Sequence, residues 1–227
     1  MCGFVAIRGR TDKDELAAML APLARRGPDG EGFWLDEDFG CAHRRLAVVG
    51  ADARGAQPME REGIVVVFNG CIYNYPQLAR KLEREGVRLA SRTDTEVLPY
   101  LYRRYGEAFV DKLDGMFAFV LWDRRNRKLV AARDRFGEKP LVFAHQGRRW
   151  LFASTLDALA RAEGMRLTLR AEALEQLIRT MRISAPATIY REAWALPAGT
   201  MLVIDGESQA KAFRWADDFP KEVNSLM

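Results

Sequence analysis

The sequence predicts an α+β fold, arranged as a four-layer α/β/β/α sandwich. Three observations carry this. Short apolar runs that end at glycine or at hairpin-like turns read as strands. Two or three amphipathic helix patterns interrupt them. One run, "GMFAFVLWD", is apolar on both of its alternating faces, so its strand is covered from both sides. A strand covered on both sides needs a layer above and a layer below. Two separate α+β lobes fit the same local pattern, which does not distinguish them.

The elements follow in order. Gly3–Arg8 is a short apolar run closed by Gly9 and reads as a buried strand. In "TDKDELAAMLAPLARRG", Asp12 and Glu15 have the spacing of an N-cap and its third helical residue. Leu16, Met19, Leu20 and Leu23 recur at helical spacing, and Gly27-Pro28 stops the helix. "GPDGEG" is a loop. "GCAHRRLAVVG" and "GIVVVFNG" are strands ending at glycine. "NYPQLARKLEREG" is a helix with Pro76 in its first turn, Leu78 and Leu82 on one face and Gly86 past its end. "TDTEVLPYLYRRYG" is another, capped by Thr93 or Asp94, with Val97, Leu98, Leu101, Tyr102 and Tyr105 inward. "GMFAFVLWD", "RKLVAARD", "PLVFAH" and "RWLFAST" follow closely, with "DRRNRK" and "HQGRR" as hairpin turns, and suggest one antiparallel meander. From about Thr155 the character changes. "LRAEALEQLIRTMR" is a helix bearing Leu174, Leu177, Ile178 and Met181, and Thr200–Asp205 is a strand. The expected organisation is a domain over 1–154 and a connecting tail over 155–227.

Bulk properties exclude several classes. The chain has 227 residues, enough for one sizeable core, with 48% hydrophobic and 29% charged residues, as in ordinary globular proteins. No stretch approaches the ~18 consecutive apolar residues of a membrane span. Arg8, Arg10 and Asp12 interrupt any signal-peptide pattern, so the expected location is cytoplasmic. The net charge is +4, but charges alternate in sign as in "DRRNRKLVAARDRFGEK", which reads as solvated faces and not as a nucleic-acid surface. Cys2, Cys41 and Cys71 are odd in number and lack paired spacing, against a disulfide framework or a metal site. His43 and His145 are the only histidines, so a histidine base has two candidates at most.

The residues that could carry chemistry start at Cys2. A thiol attacks as thiolate, and its free pKa is near ~8.5. An α-amine titrates near ~8, so with Met1 removed the amine of Cys2 can serve as base for its own thiol. A cysteine at position two is equally well explained by chance. Asn69 offers a side-chain amide at a strand end and Gly70 a close backbone approach, as oxyanion donors; an Asn-Gly turn is the plainer alternative. Arg44 and Arg45 are neighbours in a strand and point to opposite faces, so one can meet a carboxylate in a site while the other stays in solvent. Asp94 can hold an ammonium, or simply cap its helix.

In combination these blocks resemble a family. "MCGFVA", "RRGPDGEG", "AHRRLAVVG", "QPM", "VFNGCIYNY", "RTDTEV", "LDGMFAFVLWD" and "ARDRFGEKPL" occur in the order found in the glutaminase domain of asparagine synthetase B-type proteins. These are class II glutamine amidotransferases of the N-terminal nucleophile hydrolase type. The resemblance runs from Met1 to about Ser154, and "SAPATIYREAWALPAG" looks like the lead-in to the family's synthetase domain.

The resemblance implies glutamine hydrolysis through a Cys2 thioester, with Asn69 and the Gly70 N–H as oxyanion hole. It implies Arg45 and the Leu46–Val49 backbone at the α-carboxylate, and Asp94 at the α-ammonium. Arg26 and Asp29 would organise the site wall. The family usually reads N-G-E-I-Y-N; here Cys71 stands at the acidic, amine-binding position. No S-G-G-x-D-S phosphate loop occurs, so ATP and magnesium are expected on a separate synthetase partner and no cofactor in this chain. Trp194, Leu196, Phe213 and Trp215 either dock that partner or pack on the domain's own core. A non-catalytic module that binds and regulates a synthetase is the alternative reading, and an amidohydrolase for another amide is a third.

Overall fold

The computed structural model describes residues 1–47, 53–207 and 209–214. In chain order the strands are β1 (Gly3–Arg8), β2 (Gly30–Leu35), β3 (Phe39–Arg45), β4 (Met59–Arg61), β5 (Ile64–Ile72) and β6 (Gly115–Asp123). There follow β7 (Lys128–Arg133), β8 (Val142–Gln146), β9 (Arg149–Ala153), β10 (Trp194–Ala195), β11 (Thr200–Ile204) and β12 (Ala210–Arg214). The helices are α1 (Lys13–Leu20), α2 (Tyr75–Arg84), α3 (Asp94–Tyr105), α4 (Leu156–Leu159) and α5 (Ala171–Thr180). One antiparallel sheet runs β10-β8-β9-β1-β3-β2 and the other β12-β11-β7-β6-β5-β4. Among the described residues no helix is long and apolar enough to cross a membrane.

Strand alternation builds the four layers. On β1, Phe4 and Ala6 enter the core between the sheets, while Val5 and Ile7 pack with Leu16, Met19 and Leu20 of α1. On β5, Val65 and Val67 enter the inter-sheet core, while Ile64, Val66 and Phe68 meet α2 and α3. On β6, Ala118, Val120 and Trp122 face inward, and Phe117, Phe119 and Leu121 face the helices. The double-sided apolarity of "GMFAFVLWD" is thus spent on two different cores, and the fold is the expected α/β/β/α sandwich. The expected Asp12 cap forms, whereas Thr93 takes the N-cap position of α3 without a side-chain capping bond. The Asp12 carboxylate accepts from the Glu15 N–H at 2.8 Å, and Leu16, Met19, Leu20 and Leu23 are buried.

The structure departs from expectation in three places. The meander does not continue through four strands: β5-β6-β7 lie in one sheet, and the β8-β9 hairpin joins the other beside β1. The crossing is fixed by Asp134, whose carboxylate accepts from the N–H groups of Phe117 (3.2 Å), Phe136 (3.1 Å), Glu138 (2.9 Å) and Lys139 (2.9 Å). Arg133 donates to the carbonyls of Lys139 (2.8 Å), Gly137 (2.6 Å) and Leu196 (2.7 Å). Second, residues past 155 supply β10 to one sheet and β11 and β12 to the other. Third, α1 ends at Leu20 and passes into a 3-10 turn over Ala21–Leu23, short of the Gly27-Pro28 stop read from the sequence. The helix α5 leaves Leu174 and Ile178 exposed and buries only Ala173. Trp194 packs against the inter-sheet core and Leu196 lies in it. Val49, Trp215 and the side chain of Phe213 lie outside the described residues.

Candidate active site

Alternation also decides which polar side chains meet. Asn69 follows Val65 and Val67 on the inter-sheet face of β5. Cys2 precedes Phe4 and Ala6 on the corresponding face of β1. On β3, Phe39 and Cys41 enter the inter-sheet core, which puts His43 and Arg45 on that face and Arg44 on the other. Arg44 accordingly pairs with Glu31 at 2.7 Å, outside the site. Cys2, Arg45, Leu46, Asn69, Gly70, Cys71 and Asp94 line one cleft of about 230 Å³. Seven of the eight expected residues are therefore brought together, and Val49 is the one outside the described residues.

The Cys2 thiol accepts from the Leu46 N–H at 3.3 Å and lies 3.5 Å from the Leu46 carbonyl. Arg26 donates from Nε to the Cys2 carbonyl at 3.1 Å. The loop carrying Arg26 and Asp29 lies directly on β3. A Cβ on Gly27 would sit 2.3 Å from the Arg44 carbonyl carbon, so only glycine allows this approach. Asp29 donates its N–H to the Arg45 carbonyl (2.9 Å), and its carboxylate accepts from the Ala47 N–H (2.8 Å). The loop thus holds the Arg45–Ala47 wall.

Asn69 is 2% exposed, and its Nδ2 is buried without a hydrogen-bond partner. An unpaired buried donor costs about 1–3 kcal/mol, so its retention in a cleft points to a ligand acceptor. Gly70 follows because β6 presses on it: a Cβ there would lie 2.2 Å from the Met116 carbonyl oxygen.

Asp94 is 5% exposed, and its carboxylate accepts from the Ile72 N–H at 2.9 Å, tying the start of α3 to the end of β5. Burial pushes its pKa up, and hydrogen bonds from the Ile72 and Thr95 backbones partly oppose this. A carboxyl raised on folding favours the fold below its ordinary pKa of ~3.9 and opposes it as pH rises through the raised value. Asp94→Asn is therefore expected to raise the unfolding temperature at neutral pH, more than at pH 4, while raising KM for an ammonium-bearing substrate. Calorimetry and steady-state kinetics on one preparation check both directions.

Among the lining residues not singled out from the sequence, two carry polar side chains that matter here. Gln57 and Lys139 sit inside the quoted blocks "QPM" and "GEKPL" without a distinctive chemical signature. Lys139 is 8% exposed, and its ammonium lies 3.8 Å from the Met1 sulfur. Burial and the Asp94 charge push the Cys71 thiol pKa up, and the Lys139 charge partly offsets this. The part of the cleft around Cys71 thus holds one carboxylate, one ammonium and a neutral thiol.

Neither histidine lines the cleft. His43 is fully buried beneath it, its pKa lowered to about 4 chiefly by burial, so it is neutral at physiological pH. His145 lies tilted against Trp150, with ring centroids 4.4 Å apart, and Trp150 pairs with Arg8 at the far end of β1 from Cys2. A thiol with no histidine beside it, an unpaired amide donor, a guanidinium and a carboxylate thus meet in one cleft.

The comparisons with known proteins agree. The chain belongs to the glutamine amidotransferase domain family, whose model matches residues 1–215. It is 34% identical to asparagine synthetase [glutamine-hydrolyzing] 1 of Bacillus subtilis over 94% of its own length, covering 35% of that protein. It is 41% identical to asparagine synthetase [glutamine-hydrolyzing] 2 of Oryza sativa subsp. japonica over 70% of its length and 28% of that protein. The chain thus spans about a third of the length of these curated relatives. The solved glutamine phosphoribosylpyrophosphate amidotransferase from B. subtilis superposes with a TM-score of 0.69 at 20% identity, over 96% of this chain and 50% of the other. A structure described as the allosteric regulatory enzyme of purine biosynthesis gives a TM-score of 0.72, also at 20% identity and over the same shares. These two show the shared fold. The chain is an enzyme domain of the glutamine amidotransferase class, related to the glutamine-hydrolysing part of asparagine synthetases.

Proposed function

We propose that this domain hydrolyses glutamine to glutamate and ammonia through a Cys2 thioester and supplies the ammonia to a separate asparagine-synthetase-like partner. With Met1 removed, the α-amine of Cys2 takes the thiol proton. Sulfur attacks the side-chain amide carbon, and the oxygen of the tetrahedral intermediate accepts from Asn69 Nδ2 and the Gly70 N–H. The C–N bond breaks as the amine returns its proton, ammonia leaves, and water hydrolyses the thioester. Arg45, with the Leu46–Val49 backbone, receives the α-carboxylate and Asp94 the α-ammonium. The observation that carries this reading is the meeting of the Cys2 thiol and the unpaired Asn69 amide in one cleft.

The names of the relatives support an amidating partner; in this reading an ATP- and magnesium-dependent synthetase consumes the ammonia, and no cofactor is assigned to the glutaminase residues. The three cysteines are free, which suits a reducing cytoplasmic setting. The test is glutamate release by protein whose intact mass shows loss of Met1, with and without the synthetase partner. No turnover in either case overturns the reading.

Cys71 favours one second reading, a domain that binds and regulates a synthetase with little turnover. Rapid single-site labelling of Cys2 by diazo-oxo-norleucine counts against it. Under the first reading, Cys71→Glu restores a second carboxylate at the amine end beside Lys139. Its expected effect is a KM for glutamine lowered about tenfold, the scale of one charged hydrogen bond, with kcat little changed. Steady-state kinetics read this directly, and an unchanged or raised KM contradicts it.

A further inference from the structure

We propose that Gln57 is a positioning residue that fixes the strand carrying Asn69 against the helix start carrying Asp94. The inference rests on the glutaminase reading above and concerns a residue that reading leaves without a role.

β4 pairs with β5 only opposite Ile64–Val66. Past that point no strand among the described residues pairs with the outer edge of β5, yet Phe68 is buried there. In an antiparallel pair, alternate residues turn both peptide groups away from the partner strand, and these groups still need hydrogen bonds. Phe68 meets this need with two side chains. Its N–H donates to Gln57 Oε1 at 2.7 Å, and its carbonyl lies 3.1 Å from His43 Nε2. A carbonyl only accepts, so His43 carries its proton on Nε2. Both side chains are buried. They stand in for the missing strand at the peptide that leads into Asn69.

Gln57 does more than close an edge. Its Nε2 donates to Thr95 Oγ1 at 3.3 Å, and Thr95 is the residue after Asp94. One side chain therefore links the oxyanion strand to the ammonium-binding helix. Gln57 also lines the cleft, but both ends of its amide are engaged by protein, so it acts through its neighbours. Donors aimed at a transition state lose effect with small displacements, which makes this link a control on kcat as well as on KM.

The test uses the full chain with Met1 removed. Gln57→Met keeps the shape and removes both bonds; kcat is expected to fall about tenfold and KM to rise. Gln57→Glu keeps an acceptor for Phe68 and can accept from the Thr95 hydroxyl, so it restores most of kcat. Thr95→Val breaks only the second link and raises KM more than it lowers kcat. In an Asn69→Ala background, Gln57→Met costs less than about twofold further, because its effect runs through Asn69. Full additivity in that double variant, or an unchanged kcat in Gln57→Met, overturns the assignment. Amide hydrogen exchange supplies a readout independent of turnover. Phe68 loses protection in Gln57→Met, or in Gln57→Ala if the methionine variant does not fold, while Leu121 on β6 keeps its own. Equal protection in variant and parent also overturns the proposal. A parent protein that turns over no glutamine defeats the functional reading, while exchange still judges the brace.

Discussion

Cys2→Ala is expected to lower kcat for glutamine hydrolysis by about 10⁴-fold or more, the scale seen when a covalent nucleophile is removed. No neighbouring group can take over. Neither histidine lines the cleft, and the Cys71 thiol is held protonated by burial and by Asp94. The fold should survive, because the Cys2 side chain contributes only its contacts with the Leu46 peptide groups and closes no core. The unfolding temperature is therefore expected to change little. A second preparation separates nucleophile from base. Protein bearing an uncleaved extension ahead of Met1 keeps the thiol but has no free amine beside it, and it should be as inactive as Cys2→Ala. Glutamate release with intact mass on each preparation decides the matter. Turnover by the extended protein would remove the α-amine from the mechanism and send the search for a base to water or a more distant side chain.

The parts of this molecule that local chemistry encodes were legible. Cys2, Asn69, Gly70, Arg45 and Asp94 have side chains, or lack one, in ways that suit a reaction, and their blocks are distinctive. The choice between Arg44 and Arg45 followed once the face of β3 was known, since a period of two puts Arg45 with Cys41 and His43. The sheet to which β8 and β9 belong was not legible, because apolar alternation says that a strand is half-buried and not which sheet receives it. The crossing depends on Asp134 and Arg133, two charged residues that read as ordinary surface charges in "ARDRFGEKPL" yet bind backbone groups. Gln57 was missed for the same reason. Its work is to satisfy a strand edge, and strand edges exist only after the topology is set. The helix at Ala171–Thr180 was legible from its apolar spacing, but spacing alone does not say what a helix packs against: Leu174 and Ile178 are exposed.

Asn69→Ala is expected to reduce kcat by about 10²–10³-fold with KM nearly unchanged, the signature of an interaction made in the transition state. The resting structure explains the split. The amide nitrogen is buried with no protein partner, and under the proposed mechanism its strongest hydrogen bond forms as negative charge builds on the amide oxygen. Stability should move the other way. Removing an unpaired buried donor relieves a cost of about 1–3 kcal/mol, set against the packing lost, so the variant should unfold at or above the parent temperature. Gly70→Ala provides the steric contrast. Its Cβ would stand 2.2 Å from the Met116 carbonyl oxygen and 2.7 Å from the Phe117 Cα, so β5 must shift away from β6. That variant is expected to lose both stability and kcat. If Asn69→Ala instead destabilises the fold while sparing kcat, its amide is a structural group and the oxyanion must be held by backbone donors alone. Loss of kcat with stability retained or gained fits only a donor kept unpaired for the reaction.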